Sequence, residues 1–513
     1  AAPAGTGSLR VASMNLLNFF NTFDGLPDTV DNCVFGVGGA PADCRGADTQ
    51  AEFDRQWPKT VAAVLGSAAD VVGVIEMEND GYGPDSAIQF LVNRLNDATA
   101  PGSYAFIDAD AATGTLNALG TDAIKVGLIY KPESVAPIGQ TATLNTLSFV
   151  NGGDSGPRNR AALAQAFQDV ATGARFIVSV NHFKSKGSAC DAPDAGDGQD
   201  NCNAVRTAAA VELTNWLATN PTGIADPDVL VLGDLNAYSK EDPLTTLETA
   251  GYQNLVGASN PFSYVFDGQW GSLDHALGST SLASQVTSAT VWTINADEPS
   301  VLDYNTDFKS ACQVGPPQPC ANPVANPSLY AANEFRIADH NPVLIDLDLV
   351  PPVPTTALVR GSGWLVLGND SSGTKAGDAG SRLGFLLSAR LARPGASPVG
   401  GIALLIRRTE VDGVHSYLVT APTVSSLTGD TAGGQVVVTA KALTWDVTRL
   451  WPRLVDINVT VRLSAIDRGR PGAGVDAIGV TIRRSNGTLW FSSSWNGTAT
   501  VNQTIDGGNL LVR

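Results

Sequence analysis

Four histidines occur in this chain, and three of them stand beside an acid or an amide: Asn181-His182, Asp274-His275 and Asp339-His340-Asn341. The fourth, His415, follows Gly413 and Val414. A scarce residue type gathered into polar motifs at the ends of apolar runs points to imidazole working as acid, base or ligand. Met14-Asn15-Leu16 ends one apolar run with an amide, and Val74-Ile75-Glu76-Met77-Glu78-Asn79 ends another with acids. Val180-Asn181-His182-Phe183-Lys184-Ser185-Lys186 closes a third with a histidine, and Leu232-Gly233-Asp234-Leu235-Asn236-Ala237 a fourth with an acid and an amide. Ser272-Leu273-Asp274-His275 and Ala338-Asp339-His340-Asn341 carry the remaining acids. A single strand-end Asp or Asn can simply cap a turn. Buried carboxylates, however, are costly unless paired or bound to metal, and Glu76, Asp234 and Asp339 each adjoin a strongly apolar stretch. In Asp234-Leu235-Asn236 the period of two sends both polar side chains to one face. Converging oxygens suit Mg²⁺ or Mn²⁺ better than zinc. His182 and His340 then supply acid and base for hydrolysis of a phosphate ester.

These residues need a scaffold that gathers strand ends at one edge. Alternation of patterns provides it through the first two-thirds of the chain. Strands are expected at 9–17, 70–77, 125–130, 162–170, 175–183 and 229–235, with shorter ones near 273–277 and 342–349. Helices are expected at 53–65, 86–96 (Ser86 as N-cap) and 203–217. This alternation argues for an α/β layered domain over 1–350. The Pro-rich stretch 351–356 reads as a stiff linker. Beyond it helical periodicity is nearly absent, and alternating Val-, Ile- and Thr-rich runs such as GQVVVTAKAL and VDINVTVRLSAI read as a smaller all-β sandwich over 357–513. Trp364, Trp445, Trp451, Trp490 and Trp495 are expected in its core, with a binding platform as the alternative. The tail offers no acid–histidine cluster by sequence. It would anchor the enzyme to a surface, assist secretion or stabilise the catalytic domain.

A length of 513 residues favours two domains. With 43% hydrophobic residues and a mean hydropathy of +0.03, the chain is globular and not disordered. No uninterrupted apolar run is long enough to span a bilayer. The opening AAPAGTGS lacks the basic and apolar regions of a signal peptide and suits a mature N-terminus left by cleavage. The six cysteines fall into local pairs, Cys33 with Cys44, Cys190 with Cys202 and Cys312 with Cys320, none with CxxC spacing. Nearest-neighbour disulfides would place the protein outside the cytoplasm, extracellular or periplasmic. The alternative is six free thiols in a cytosolic protein. The loop Asp191–Asp200 between Cys190 and Cys202 reads either as a Ca²⁺ site without the final Glu of an EF-hand or as a plain acidic surface loop.

The net charge of −18 and pI near 4.5 have the wrong sign for a non-specific DNA-binding protein. Bound divalent cations would supply local positive charge. Lys184, Lys186 and Arg206 would add phosphate contacts, or else belong to a solvated loop and helix face.

Taken in order, Asn15, Glu76, His182, Asp234-x-Asn236, Asp274 and Asp339-His340 resemble the endonuclease/exonuclease/phosphatase superfamily. The resemblance runs from about Leu9 to Leu349 and is closest to its secreted bacterial nuclease branch. The opening Met14 to Thr22 and the segment Gly120 to Pro132 carry the branch assignment. It implies a four-layer sandwich, two packed mixed β-sheets flanked by helices. It also implies roles. Asn15, Glu76 and Asp339 would belong to the cation site, with Glu76 as direct ligand. Asp234 would orient or deprotonate the attacking water, and Asn236 would hold a phosphate oxygen. His182 and His340 would contact the scissile phosphate. Asp274 would orient His340 or bind a second cation, and Asp122 would orient His182.

The resulting expectation is a secreted, metal-dependent endonuclease acting on extracellular DNA, with RNA as an alternative substrate. A second reading keeps the chemistry and changes the substrate to a small phosphoester, phospholipid or sphingolipid. The lack of an obvious exposed aromatic hairpin speaks against a membrane substrate. A third reading, a binding protein that has lost catalysis, would require a missing ligand residue, and none is missing.

Overall fold

Leu9–Phe19 is apolar almost throughout and nearly all buried, and this strand becomes the middle of a six-stranded sheet. The computed structural model describes residues 2–25, 30–257, 262–306, 329–351, 357–392, 396–431, 434–469, 472–497 and 499–513. The chain divides into two units, Ala1–Gln168 with Arg175–Leu349, and Val350–Arg513 with the turn Asp169–Ala174. The expected linker residues 352–356 lie outside the described residues.

In chain order the first unit begins β1 (Leu9–Phe19), β2 (Cys33–Val34), β3 (Pro41–Ala42), α1 (Gln50–Ser67), β4 (Val71–Glu78) and α2 (Ala87–Ala98). It continues β5 (Ala105–Phe106), α3 (Ala109–Thr113), β6 (Ile124–Tyr130), β7 (Val135–Leu144), α4 (Leu147–Asn151), β8 (Arg160–Asp169) and β9 (Arg175–His182). Then come α5 (Asn203–Ala218), β10 (Val229–Asp234), α6 (Asp242–Thr249), β11 (Tyr252–Asn254), β12 (Tyr264–Phe266) and β13 (Gln269–Gly271). β14 (Asp274–Ser279), α7 (Thr280–Ala283), β15 (Val286–Val291) and β16 (Val343–Leu347) complete it.

Two mixed sheets result, ordered β15-β16-β1-β4-β6-β5 and β11-β14-β10-β9-β8-β7. They pack face to face through their central strands. At Gly73 the approach is so close that a Cβ would meet Leu232 and Val180 of the opposite sheet. The other face of the first sheet, with Ala12, Met14, Val72 and Val74, shares a core with Phe53, Val61 and Val64 of α1 and Ile88, Leu91 and Val92 of α2. Helix α5 buries Val205, Ala209, Ala210 and Leu213, and α6 buries Leu244 and Leu247. Ser86 caps α2, accepting a hydrogen bond from the Gln89 amide. A buried ion pair ties β1 to β16: Arg10 Nε lies 2.6 Å from Asp346 Oδ1. Strand β7, helix α6 and strand β15 were not apparent in the sequence pattern. β7 and β15 are largely half-exposed, so neither forms a clean apolar run.

The second unit is one continuous antiparallel sheet of eleven strands. Strands from both of its ends contribute to a single core that includes Val359, Leu387, Ile406, Val438, Val461, Val480 and Leu510. The sheet therefore closes over itself to make the expected sandwich. Among the tryptophans expected in that core, only Trp490 is fully buried. Trp451 is 84% exposed and Trp364 is 38% exposed.

Candidate active site

Strand register alone assembles half of the site. β9 and β10 run parallel with His182 beside Asp234, and β10 and β14 run antiparallel with Asp234 beside Asp274. Three polar residues thus form a row across the end of one sheet. The opposite sheet contributes Asn15 and Glu76 from the ends of the parallel pair β1 and β4, and Asp339 and His340 from the segment entering β16.

Two of these placements need backbone irregularity. A period of two would turn Glu76 with Val72 and Val74 toward the helices. Instead the pairing of β4 with β6 slips between Val74 and Met77, and Glu76 adopts φ +65°. This bulge redirects the carboxylate into the cleft between the sheets. Non-glycine residues at positive φ are strained and cluster at functional sites. Leu17 (φ 51°), Asn18 (φ 52°) and Asn236 (φ 48°) share that feature here. The Asn18 amide donates to Glu76 Oε2 at 3.1 Å. Asn236 corrects the sequence argument: β10 ends at Asp234, so strand alternation does not align the two residues. A turn does so, with the Asn236 amide donating to Asp234 Oδ1 at 2.9 Å and its Nδ2 donating to the Phe183 carbonyl.

The imidazoles face each other across Asp234. His182 Nε2 lies 3.7 Å from Asp234 Oδ2 and 3.9 Å from Glu76 Oε1. His340 Nε2 lies 3.9 Å from the same Asp234 oxygen and 4.0 Å from Asp339 Oδ2, while its Nδ1 sits 2.6 Å from Asp274 Oδ2. The two histidines are electrostatically unlike. Burial, reinforced by the positive charge of Arg160, holds His182 far below the usual histidine range, so it is neutral. Burial would also lower His340, but Asp274, Asp234 and Asp339 outweigh it and keep that imidazole protonated. Burial pushes the carboxyls of Asp234 and Glu76 upward, with Asp274 adding to the first and Asp339 to the second. Carboxylates so destabilised in their charged form are poised for a cation or a proton.

The cleft holds about 480 Å³ and is lined by Glu76, His182, Asp234, Asn236, Asp339 and His340, with Lys186, Tyr238, Tyr264 and Phe266 at its rim. The carboxylates of Glu76, Asp234 and Asp339 offer oxygen donors, which suit a hard divalent cation. Asn15 is buried beside this group, its Oδ1 accepting from the Leu17 amide. Asp234, Asp274 and His340 also form a compact ligand group.

Several expected residues are elsewhere. Asp122 does not orient His182, whose Nδ1 is buried without a hydrogen-bond partner. The Asp122 carboxylate lies instead 3.3 Å from Arg45 and 3.4 Å from Arg160, the β8 neighbour of His182. Lys184 turns its ammonium into its own loop, onto Ser185 and Ser188, and burial lowers its pKa to about 8. Arg206 is fully buried and donates to the carbonyls of Lys184, Asn201 and Gln199. Lys184 and Arg206 therefore brace the loop, and neither lines the cleft. Lys186 reaches the rim but is paired with Glu241 at 2.7 Å. His275 is buried against the Ala237 carbonyl. In the 191–200 loop, Asp191 pairs with Arg158, while Asp194 and Asp197 cap local amides, so these acids do not converge on one calcium position. Disulfides join Cys33 to Cys44 and Cys190 to Cys202, whereas Cys312 and Cys320 lie outside the described residues.

The sequence reading missed an aromatic ribbon. Strands β12 and β13 expose Phe266 (65%) and Trp270 (72%), the reverse of the expected absence of an aromatic hairpin. The Asp267-Gly268 turn between alternating aromatics was the signal for it.

Among the described residues, no helix is long and apolar enough to cross a membrane. No family model matches the chain, and no curated protein matches it. Similar solved structures include an endonuclease/exonuclease/phosphatase family protein from Bacteroides thetaiotaomicron, with 14% identity and a TM-score of 0.39, covering 66% of this chain and 96% of that one. The human Nocturnin catalytic domain is 14% identical with a TM-score of 0.37, covering 68% and 97%. An endonuclease/exonuclease/phosphatase from Beutenbergia cavernae is 13% identical with a TM-score of 0.35, covering 98% and 99%.

Proposed function

We propose that the first unit is a divalent-metal-dependent phosphodiesterase that hydrolyses extracellular DNA by in-line attack of water. The observation that carries this reading is the convergence of His182 and His340 on one Asp234 oxygen, in a cleft that also holds Glu76 and Asp339. Glu76, Asn15 and Asp339 would hold Mg²⁺ or Mn²⁺, which supplies positive charge against the phosphate oxygens. Asp234, whose proton affinity is raised by burial, accepts the proton of the attacking water as the new P–O bond forms and the ester P–O bond breaks, and the leaving oxygen takes its proton from solvent. His340, held protonated by Asp274, donates to a phosphoryl oxygen and stabilises the charge gained in the transition state. His182 orients the water or a phosphate oxygen through Nε2. Asn236, fixed by its turn, positions a second phosphate oxygen.

Both disulfides favour an oxidising compartment, so secretion belongs to the same proposal. One observation favours a second reading, a small phosphoester as substrate: Lys186 at the rim is paired with Glu241 and Arg206 is committed to loop carbonyls, so the positive charge nearest the two histidines rests with Arg45 and Arg160, which share Asp122.

Supercoiled plasmid incubated with Mg²⁺, Mn²⁺ or EDTA tests the proposal. Metal-dependent nicking that disappears in His182→Ala and Asp234→Ala is expected. Intact plasmid and intact single-stranded DNA under every metal condition would refute the nuclease reading and turn attention to nucleotides, inositol phosphates and sphingomyelin.

A further inference from the structure

The register of the aromatic ribbon sets Tyr264 opposite Gly271, Val265 opposite Trp270 and Phe266 opposite Gln269. Side chains alternate along a strand, so Tyr264 and Phe266 share one face while Trp270 lies on the other with Val265, flat against Phe262. The Tyr264–Phe266 face lines the cleft. The Tyr264 ring lies 4.6 Å from the His340 ring, and the Phe266 ring follows at 6.5 Å, only 10° from parallel. Tyr238 occupies the space that any side chain at Gly271 would fill and continues this wall. An exposed apolar ring in line with the catalytic imidazole is a binding surface in search of a planar partner.

On the ribbon side of the cleft positive charge is scarce; Arg45 and Arg160, on the His182 side, share the Asp122 carboxylate. Lys186 is paired with Glu241, Lys184 and Arg206 brace their own loop, and Asp194 and Asp200 add negative charge to the rim. On this side of the cleft, substrate anchoring beyond the phosphate therefore falls to something other than a basic groove.

We propose that Tyr264 and Phe266 form a stacking platform for the nucleobase next to the scissile phosphate, which makes single-stranded or frayed nucleic acid the preferred substrate. This inference rests on the phosphodiesterase reading above. Stacking accepts any base and needs no basic groove, but the base must first leave its own stack. The ribbon's tip, Asp267-Gly268, is polar, and the rings lie along its flank, an arrangement suited to stacking and not to insertion into lipid.

Two chromogenic diesters separate the possibilities: thymidine 5′-(p-nitrophenyl) phosphate and methyl p-nitrophenyl phosphate. They release the same nitrophenolate and differ in whether a base is present. The wild type should favour the thymidine ester in kcat/KM. Phe266→Ala should reduce that preference roughly tenfold, and Phe266→Trp should restore it. A preference unchanged in Phe266→Ala overturns the platform. If the wild type hydrolyses neither ester with Mg²⁺ or Mn²⁺, the phosphodiesterase reading falls first and takes the platform with it. If Phe266→Ala abolishes cosedimentation with phosphatidylcholine vesicles while the ester preference stands, the ribbon is a membrane anchor and the proposal is wrong.

Discussion

His340 Nδ1 lies 2.6 Å from Asp274 Oδ2, and no comparable partner meets the buried Nδ1 of His182. This asymmetry favours the protonated form of one imidazole and the neutral form of the other. Asp274 is the leading charge that offsets the burial of His340. In Asp274→Asn, His340 should lose its proton at lower pH, and the alkaline limb of the rate profile should move to lower pH. The rate itself should fall roughly 100- to 10,000-fold, the range for a positioned proton-bearing group. A pH–rate profile checks both, and an alkaline limb that stays in place would separate His340 from the rate.

Glu76 and Asp234 make opposite demands on pH in the absence and presence of metal. Burial raises both carboxyls, so the folded, metal-free protein holds protons that the unfolded chain releases near pH 4. Metal-free stability therefore falls as pH rises from that range through the raised folded values. A divalent cation competes with the same protons, so its stabilising effect should grow over the same window. The difference in Tm between Mn²⁺ and EDTA samples should widen from about pH 5 to about pH 8. It corresponds to about 2.7 kcal/mol when metal is at a hundred times its Kd. Glu76→Gln should remove the widening, and a difference independent of pH would argue against carboxylate ligation.

The polar row was legible in the sequence because His182 and Asp234 close apolar strands and Asp274 opens one, and their neighbours follow from α/β alternation. Glu76 was legible as an acid beside an apolar run but not in its direction, because a bulge at positive φ overrides the period of two. Lys184 and Arg206 misled for a physical reason. Sequence shows their charge but not that loop carbonyls and hydroxyls already absorb it. Asp122 misled likewise, since Arg160 becomes the neighbour of His182 only through the pairing of β8 with β9. The aromatic ribbon was visible as a turn flanked by alternating rings, but its place beside His340 depends on a tertiary contact that no local pattern encodes.

Arg206 offers a test of this distinction. It is buried, and its guanidinium holds three carbonyls of the loop that leads to the cleft. Arg206→Met should cost about 3 kcal/mol of stability by stranding those carbonyls. It should raise KM through the loosened loop, yet leave the salt dependence of substrate binding unchanged. Loss of a true phosphate contact would lower the slope of log K against log salt by nearly one. A slope reduced by that amount would return Arg206 to the substrate.

The Cys190–Cys202 bridge closes the same loop from its other end, across a separation of 12 residues. Within it, Asp194, Asp200 and Asn201 line the cleft. Cross-linking a loop of this length stabilises by about 3 kcal/mol, chiefly by restricting the unfolded chain. The double variant Cys190→Ser, Cys202→Ser should therefore unfold at lower temperature and be cut by protease within 190–202. The reacting groups stand on β4, β9, β10, β14 and the segment entering β16, and not on this loop, so kcat should hold while KM rises. A collapse of kcat with KM unmoved would show that the loop takes part in the chemistry itself, beyond shaping the entrance to it.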